Sequence, residues 1–512
     1  MREGPPRVVV VGAGIGGMSA AAVLSARGYR VLVLESAPRF GGKMSVEGED
    51  HRRVDAGPTV LTLRSVFDAL FEAAGARLDD HLTLEPAEVL ARHAWGDGSQ
   101  LDLYADPLRS EAASEALAGS AEVDGFRRFC ASVRRTYDLL ERPFLWAQRP
   151  TLASTTWHFV RQGLGAALAL DAHRSMWQAI CSHFRDPRLR QLFARYATYV
   201  GSSPFLAPAT LNLIARVEQD GVWRVRGGMH HLAVALAGLV WSRGGVIRTG
   251  CGVAEVRTEG GRVTGVIDDH GVLHPADAVI VASSADALAG GLLGDQVRHA
   301  VHAPAPGQRS LSAVTLAGLA RPQGLPLLHH NVIFGRDPEE EYGDLFERRT
   351  LPRDPTVYLC AQDRGDVARE LPGPERMLMV VCAPALGDGP EASPEEIEAC
   401  LSRSSAVIGR AGLSLDWARR SLATPATWAR RFPGTGGALY GAPSHGWNAS
   451  FQRPAARTRV PGLYLAGGTA HPGAGVPMVA LSGLLACDAL SADLPWTWTS
   501  QQEGMPGGTS TP

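Results

Sequence analysis

The chain has 512 residues, 45% of them apolar and 20% charged, and its formal net charge is −2. That composition fits a globular protein of two or three domains with a large core, and it excludes a disordered chain. No basic run points to nucleic acid, and there is no acidic tail.

Positive charge comes almost entirely from arginine, with Lys43 the sole lysine. The cysteines (130, 181, 251, 360, 382, 400 and 487) are scattered, with no CxxC pair, and no HExxH occurs. A disulfide framework and a metal centre are both unexpected, so no metal ligand is assigned. The stretch MREGPPR ahead of the first strand lacks the apolar core of a signal peptide. No uninterrupted apolar run reaches the ~18 residues of a membrane span. The expectation is a cytoplasmic protein that lies on the surface of any membrane it meets.

In chain order, VVVVGAGIGG (8–17) comes first. Val8 to Val11 predict a strand buried on both faces. Gly12, Gly14 and Gly17 follow as GxGxxG, then an alanine- and leucine-rich helix that stops at Gly28, then a second strand ending in Glu35. This is a complete βαβ opening for a dinucleotide. Gly12 permits the turn, Gly14 lets backbone approach a pyrophosphate, and Gly17 lets helix and strand pack closely. Unpaired amides at the helix N-terminus face the phosphates, and Glu35 is placed for a ribose diol. Glu35 suits NAD and FAD alike. The next turn, Gly41-Gly42-Lys43, is placed to wrap the middle of the cofactor.

VDAGPTVLT (54–62) breaks at Gly57-Pro58, and helical spacing predicts a helix within 63–80. Residues 90–106 predict a hairpin around Gly96-Asp97-Gly98. Residues 122–199 read as mostly helical and carry Trp146, Trp157 and Trp177. Residues 239–283 begin as a helix end and continue as short strands between glycine turns. Strands are predicted at 310–320 and 376–386, and Ser393 as a helix cap with an acidic first turn. His230-His231 and His329-His330 read as strand positions whose side chains point opposite ways, structural rather than functional. VPGLYLAGGTAHPGAGVPMVALSG (460–483) is a strand, a second glycine turn and a helix. At a flavin, that helix N-terminus would stabilise negative charge on the ring. A nicotinamide enzyme rarely needs such a second turn.

Together the opening GxGxxG with Glu35 and GGK, then DAGPTVLT, RVRGGMHHLAVAL and HPGAGVP resemble the FAD-dependent amine-oxidase-like superfamily. Within it they are similar to the bacterial carotenoid desaturases. VDAGPTVLT, ARHAWGDGSQLDLYAD, YVGSSPFLAPATL and HPGAGVPMVALSG are most similar to the 1-hydroxycarotenoid 3,4-desaturase branch. The resemblance implies an α/β (mixed α+β) fold with a discontinuous Rossmann-like FAD-binding domain (1–65, 222–290 and 455–495). It also implies a substrate domain (66–145 and 291–454), a helical membrane-facing region (146–221) and a disordered tail (496–512). Gly12, Gly14 and Gly17 would hold the FAD pyrophosphate, and Glu35 the ribose. Gly42 and Lys43 would form the second phosphate-proximal loop, and Val253 would meet adenine through its backbone. Gly468, Thr469, Val476 and Pro477 would lie at the flavin. Many relatives carry an acidic residue after the late glycines, where this chain reads GGTAHPG.

Flavin desaturation removes a hydride and a proton. His471 and Asp55 are the candidate catalytic residues for the proton, set against a packed histidine and a turn-forming aspartate. The expected substrate is a carotenoid delivered from a membrane, with the protein peripheral to the inner or photosynthetic membrane and dioxygen or a quinone as electron acceptor. A phytoene-type multi-step desaturase, a carotenoid isomerase and a non-catalytic prenyl- or lipid-binding protein share the fold and stay open. An amine oxidase is disfavoured because the sole lysine lies in the N-terminal loop.

Overall fold

A computed structural model describes residues 4–48, 52–151, 171, 173–302, 308–387 and 389–496. Trp157, much of the helical region and nearly all of the tail therefore lie outside the described residues.

The first strand, Arg7–Val11, is central in a five-stranded parallel sheet. Its neighbours are Arg30–Glu35 and then Val246–Thr249 on one side, and Ala278–Val281 and then Leu463–Leu465 on the other. Val8 and Val10 point into a helical layer, while Val9 and Val11 point into a core shared with a three-stranded antiparallel sheet. Burial on both faces is why the run is apolar without alternation. Three separate stretches of the chain supply this one sheet, so the domain closes only when the C-terminal strand arrives.

The helical layer is built on contact between the two ends of the sequence. Helix Ile15–Ala26 is buried from Ile15 to Ser25, so its small residues face protein on every side. Helix Val476–Asp493 lies against it. A Cβ on Gly483 would stand 2.6 Å from the Gly16 carbonyl oxygen, and one on Gly16 would stand 2.8 Å from the Gly467 nitrogen. The Gly467 amide in turn donates to Ser482 Oγ at 2.7 Å. By length and composition, Val476–Asp493 is long and apolar enough to cross a membrane, yet it is mostly buried in this layer.

The second domain is a seven-stranded sheet. It includes the predicted hairpin (Val89–Ala94 with Gln100–Tyr104) and the predicted strands Ser312–Gly324 and Glu375–Ala383. One face packs on helix Pro394–Arg410, whose start is the Ser393–Glu396 capping box. The other face, with Ala317, Cys360 and Leu378, meets Val54 and Ala56 of the cofactor domain. Along strand Val357–Ala361 the alternation sends Val357, Leu359 and Ala361 to the helix side and Tyr358 and Cys360 to the domain interface. The second histidine pair is on and beside strand His330–Ile333. The first is not on a strand: His230 and His231 start helix His230–Ser242, because a carboxylate distant in sequence caps that helix.

The helix crossing makes a test. Replacing a helix-interior glycine with alanine gains about 0.5–1 kcal/mol where nothing is near. Gly238, on helix His230–Ser242, is such a site, because a Cβ there would have no atom within 4 Å. G238A is expected to be neutral or stabilising in urea unfolding, whereas G483A should cost about 1–3 kcal/mol by overpacking. Equal, harmless effects would contradict the close crossing.

Candidate active site

The first glycine turn leaves Val11 through Gly12, whose amide donates to the Leu34 carbonyl at 2.8 Å. Among the described residues, nothing stands within 4 Å of a Cβ on Gly14 and no side chain caps the helix that follows. The turn therefore presents open backbone and unpaired amides to a ligand. A Cβ on Gly17 would meet the Gly12 oxygen at 2.2 Å, so only glycine lets helix and turn close. Glu35 is fixed beside the turn: Oε2 accepts from the Ala13 amide at 2.7 Å and Oε1 from the Ala37 amide at 2.8 Å. The Cys251 amide donates to the Glu35 carbonyl at 2.8 Å, which brings the start of strand Val253–Glu259, and so Val253, to the same edge.

The loop carrying Gly42 and Lys43 folds over this turn, with the Gly41 amide on the Ala13 carbonyl at 2.8 Å. Lys43 is surrounded by the fold yet keeps some accessible surface. Its Nζ donates to the Leu439 carbonyl at 2.6 Å and sits 5.4 Å from the Phe432 ring centroid. Burial pushes the ammonium down to about 8. Arg453 has the same character, with burial pushing its guanidinium down to about 10. It donates to the carbonyls of Gly468 at 3.0 Å and Tyr440 at 3.3 Å. Asp286 lies near both and near Arg309; burial pushes its carboxyl up against the pull of these three cations. Two buried cations, Lys43 and Arg453, around one carboxylate leave excess positive charge inside the protein, which an anionic ligand would neutralise.

The second glycine turn continues the same lining. Thr469 Oγ1 accepts from the Ala285 amide at 2.9 Å. Val476 and Pro477 begin the last helix, whose N-terminus also lacks a side-chain cap. The structure thus brings Gly12, Gly14, Gly17, Glu35, Gly42, Lys43 and Val253 together with Gly468, Thr469, Val476 and Pro477. Sequence reading missed Arg453 and Asp286. Arg453 is one arginine among many, and only the fold sets it on Gly468.

The two candidate proton acceptors differ. Asp55 Oδ2 accepts from the Met229 amide at 2.7 Å and Oδ1 from the His230 amide at 3.2 Å, so both oxygens cap helix His230–Ser242. Its backbone is also tied to Gln362, at 3.0 and 2.8 Å. Burial pushes its carboxyl up, opposed chiefly by the two amides. His471 follows the second glycine turn and is 2% exposed. Its ring meets Phe144 edge-on at 5.2 Å, and its Nε2 has no hydrogen-bond partner among the described residues. Burial pushes the imidazole down to about 4, so it is neutral near pH 7.

These residues fit FAD: open glycine turns and uncapped helix ends at two places, a ribose-side carboxylate, and buried cations in excess. The anion holds Lys43 charged, so bound FAD raises the lysine pKa and binding is strongest below about pH 8, weakening as pH rises through the free-protein value of about 8. In fluorescence titration of apoprotein, K43M is expected to weaken FAD about 10- to 100-fold and to flatten that pH dependence. An unchanged profile in K43M would remove Lys43 from the site.

Comparison with known proteins agrees with this geometry. The flavin containing amine oxidoreductase family matches residues 15–491. Hydroxyneurosporene desaturase of Rubrivivax gelatinosus is 48% identical over 508 residues, covering 99% of this chain and 97% of that one. The hydroxyneurosporene desaturase of Cereibacter sphaeroides is 45% identical over 506 residues, covering 96% and 99%. In fold, the chain is similar to the crystal structure of an oxidoreductase from Methanosarcina mazei, with TM-score 0.62 at 17% identity over 94% of this chain and 100% of that one. The chain belongs to the flavin containing amine oxidoreductase family, and FAD is its cofactor.

Proposed function

We propose that this protein is an FAD-dependent carotenoid desaturase that introduces the C-3,4 double bond into 1-hydroxycarotenoids such as 1-hydroxyneurosporene, in carotenoid biosynthesis. The observation that carries the reading is its identity of 48% and 45%, over nearly the whole chain, to two hydroxyneurosporene desaturases. FAD, when bound, takes up the hydride lost from the substrate. The residues of the chain do the rest. The glycine turns and Lys43 fix the cofactor, and the uncapped N-terminus of the last helix favours negative charge beside it.

For the proton we favour His471 over Asp55. Its Nε2 is unengaged among the described residues, whereas both Asp55 oxygens already hold amides. A weak base suffices, because a proton next to a delocalised polyene cation is strongly acidic. Dioxygen or a quinone would be the final electron acceptor. Entry from a membrane is supported by exposed apolar side chains. Leu206 is 52% and Trp447 58% exposed, and the Gly446 amide on the Leu206 carbonyl sets them side by side. Such a patch suits docking on the cytoplasmic side of the inner or photosynthetic membrane.

Holoprotein with liposomes containing 1-hydroxyneurosporene is expected to give a red-shifted product lighter by two hydrogens, and none from phytoene. Conversion of phytoene would favour a multi-step desaturase, and a product of unchanged mass an isomerase. A protein that binds the lipid without FAD would favour a carrier. H471A should keep its flavin and lose about 10²- to 10⁴-fold in kcat. Wild-type kcat should be flat near neutrality and fall as pH drops through about 4, where the imidazole protonates. Normal turnover in H471A would move the proton acceptor elsewhere.

A further inference from the structure

Arg195 has no role in the cofactor site. It follows helix Pro187–Ala194 and opens the turn Arg195–Val200. It is half-buried and lines a small, partly open cavity of about 10 Å³. Its neighbours there include Gln191, Thr198, Tyr342, Thr356 and Cys382. A cavity of this size holds one water-sized group.

The polar groups around it are mostly spoken for. Gln191 accepts from Trp95 Nε1 at 2.9 Å and donates to the Gly335 carbonyl at 2.8 Å. Glu341 takes the Thr356 amide at 2.8 Å and its hydroxyl at 2.7 Å. Glu218, a second buried carboxylate whose charge reaches Arg195, takes the phenols of Tyr196 at 2.6 Å and Tyr199 at 2.5 Å. Both buried carboxylates near Arg195 are thus hydrogen-bonded to other groups. Its Nη1 reaches Thr198 Oγ1 at 3.2 Å, its Nε is sealed from the cavity, and its Nη2 makes no hydrogen bond among the described residues. A buried guanidinium donor left unpaired is costly unless a ligand accepts from it.

The cavity lies beside the interface between the two sheets. The Arg195 guanidinium is 5.9 Å from the Tyr358 ring centroid. The Tyr358 hydroxyl meets Thr59 Oγ1 at 2.6 Å and His330 Nδ1 at 2.7 Å. Thr59 belongs to the DAGPTVLT segment, so the cavity sits one side chain beyond the domain interface. A 1-hydroxycarotenoid has one polar group, the tertiary hydroxyl, only two carbons from the C-3,4 bond. With that bond at the cofactor, the chain must end within a few ångströms, in a blind pocket that accepts a hydroxyl.

Resting on the desaturase reading above, we propose that Arg195 determines specificity by donating a hydrogen bond to the terminal hydroxyl of the substrate in this cavity. A site built to bond a hydroxyl discriminates strongly against the analogue that lacks it. The test compares binding of 1-hydroxyneurosporene and neurosporene to holoprotein in detergent, by quenching of protein fluorescence. R195M removes the donor, and C382L fills the cavity while leaving the charge. Each is expected to weaken the hydroxylated ligand about 10- to 100-fold and to leave neurosporene within about threefold. Equal weakening of both ligands, or a hydroxyl preference that survives in whichever variant retains FAD, would overturn the proposal. A wild type that turns over 1-hydroxyneurosporene but binds both ligands alike would overturn it while leaving the function standing. A wild type that prefers the hydroxylated ligand, loses that preference in R195M and makes no product would support the pocket and sink the desaturase reading.

Discussion

The backbones of the first and last helices touch, and the cofactor site depends on that contact. Gly16, Gly467 and Gly483 meet at distances no side chain allows. With them in contact, the glycine turn at the start of the chain and the one near its end become parts of one wall. A dinucleotide is long, with a diphosphate in the middle and an aromatic ring at one end. Binding it needs backbone amides at more than one point. The close crossing supplies both points from residues more than 450 apart in sequence.

Charge follows the same design. Lys43 comes from the N-terminal loop, Asp286 from after the fourth strand of the parallel sheet, and Arg453 from just before the last strand. Each is costly to bury alone. Together they leave an excess of positive charge that an anionic cofactor neutralises, so binding and the closure of the domain reinforce each other. The second sheet then adds a mostly apolar face that carries Tyr358 and His330 on two interior strands, with Arg195 of the neighbouring helical turn beside Tyr358. The two sheets meet at residues 54–62.

Local features were legible in the sequence because their causes are local. The continuous Val8–Val11 run, the hairpin at Gly96-Asp97-Gly98 and the Ser393 cap each follow from neighbouring residues, and the structure has all three. Features set by distant contacts were not. His230 and His231 read as strand positions, yet they start a helix. The cap that starts their helix is Asp55, 174 residues away from the amide it holds at Met229. Arg453 and Asp286 carry no local signature at all. Nothing in GGTAHPG reveals that a carboxylate, Asp286, stands close by on another element, in the helix whose first amide bonds Thr469.

The most direct measurement is a single anaerobic turnover. Holoprotein would be mixed with 1-hydroxyneurosporene while flavin absorption and product are followed together. The flavin is expected to bleach in step with formation of a product lighter by two hydrogens, one equivalent for each. Product formed while the flavin stays oxidised, or bleaching without product, would contradict hydride transfer to the bound cofactor.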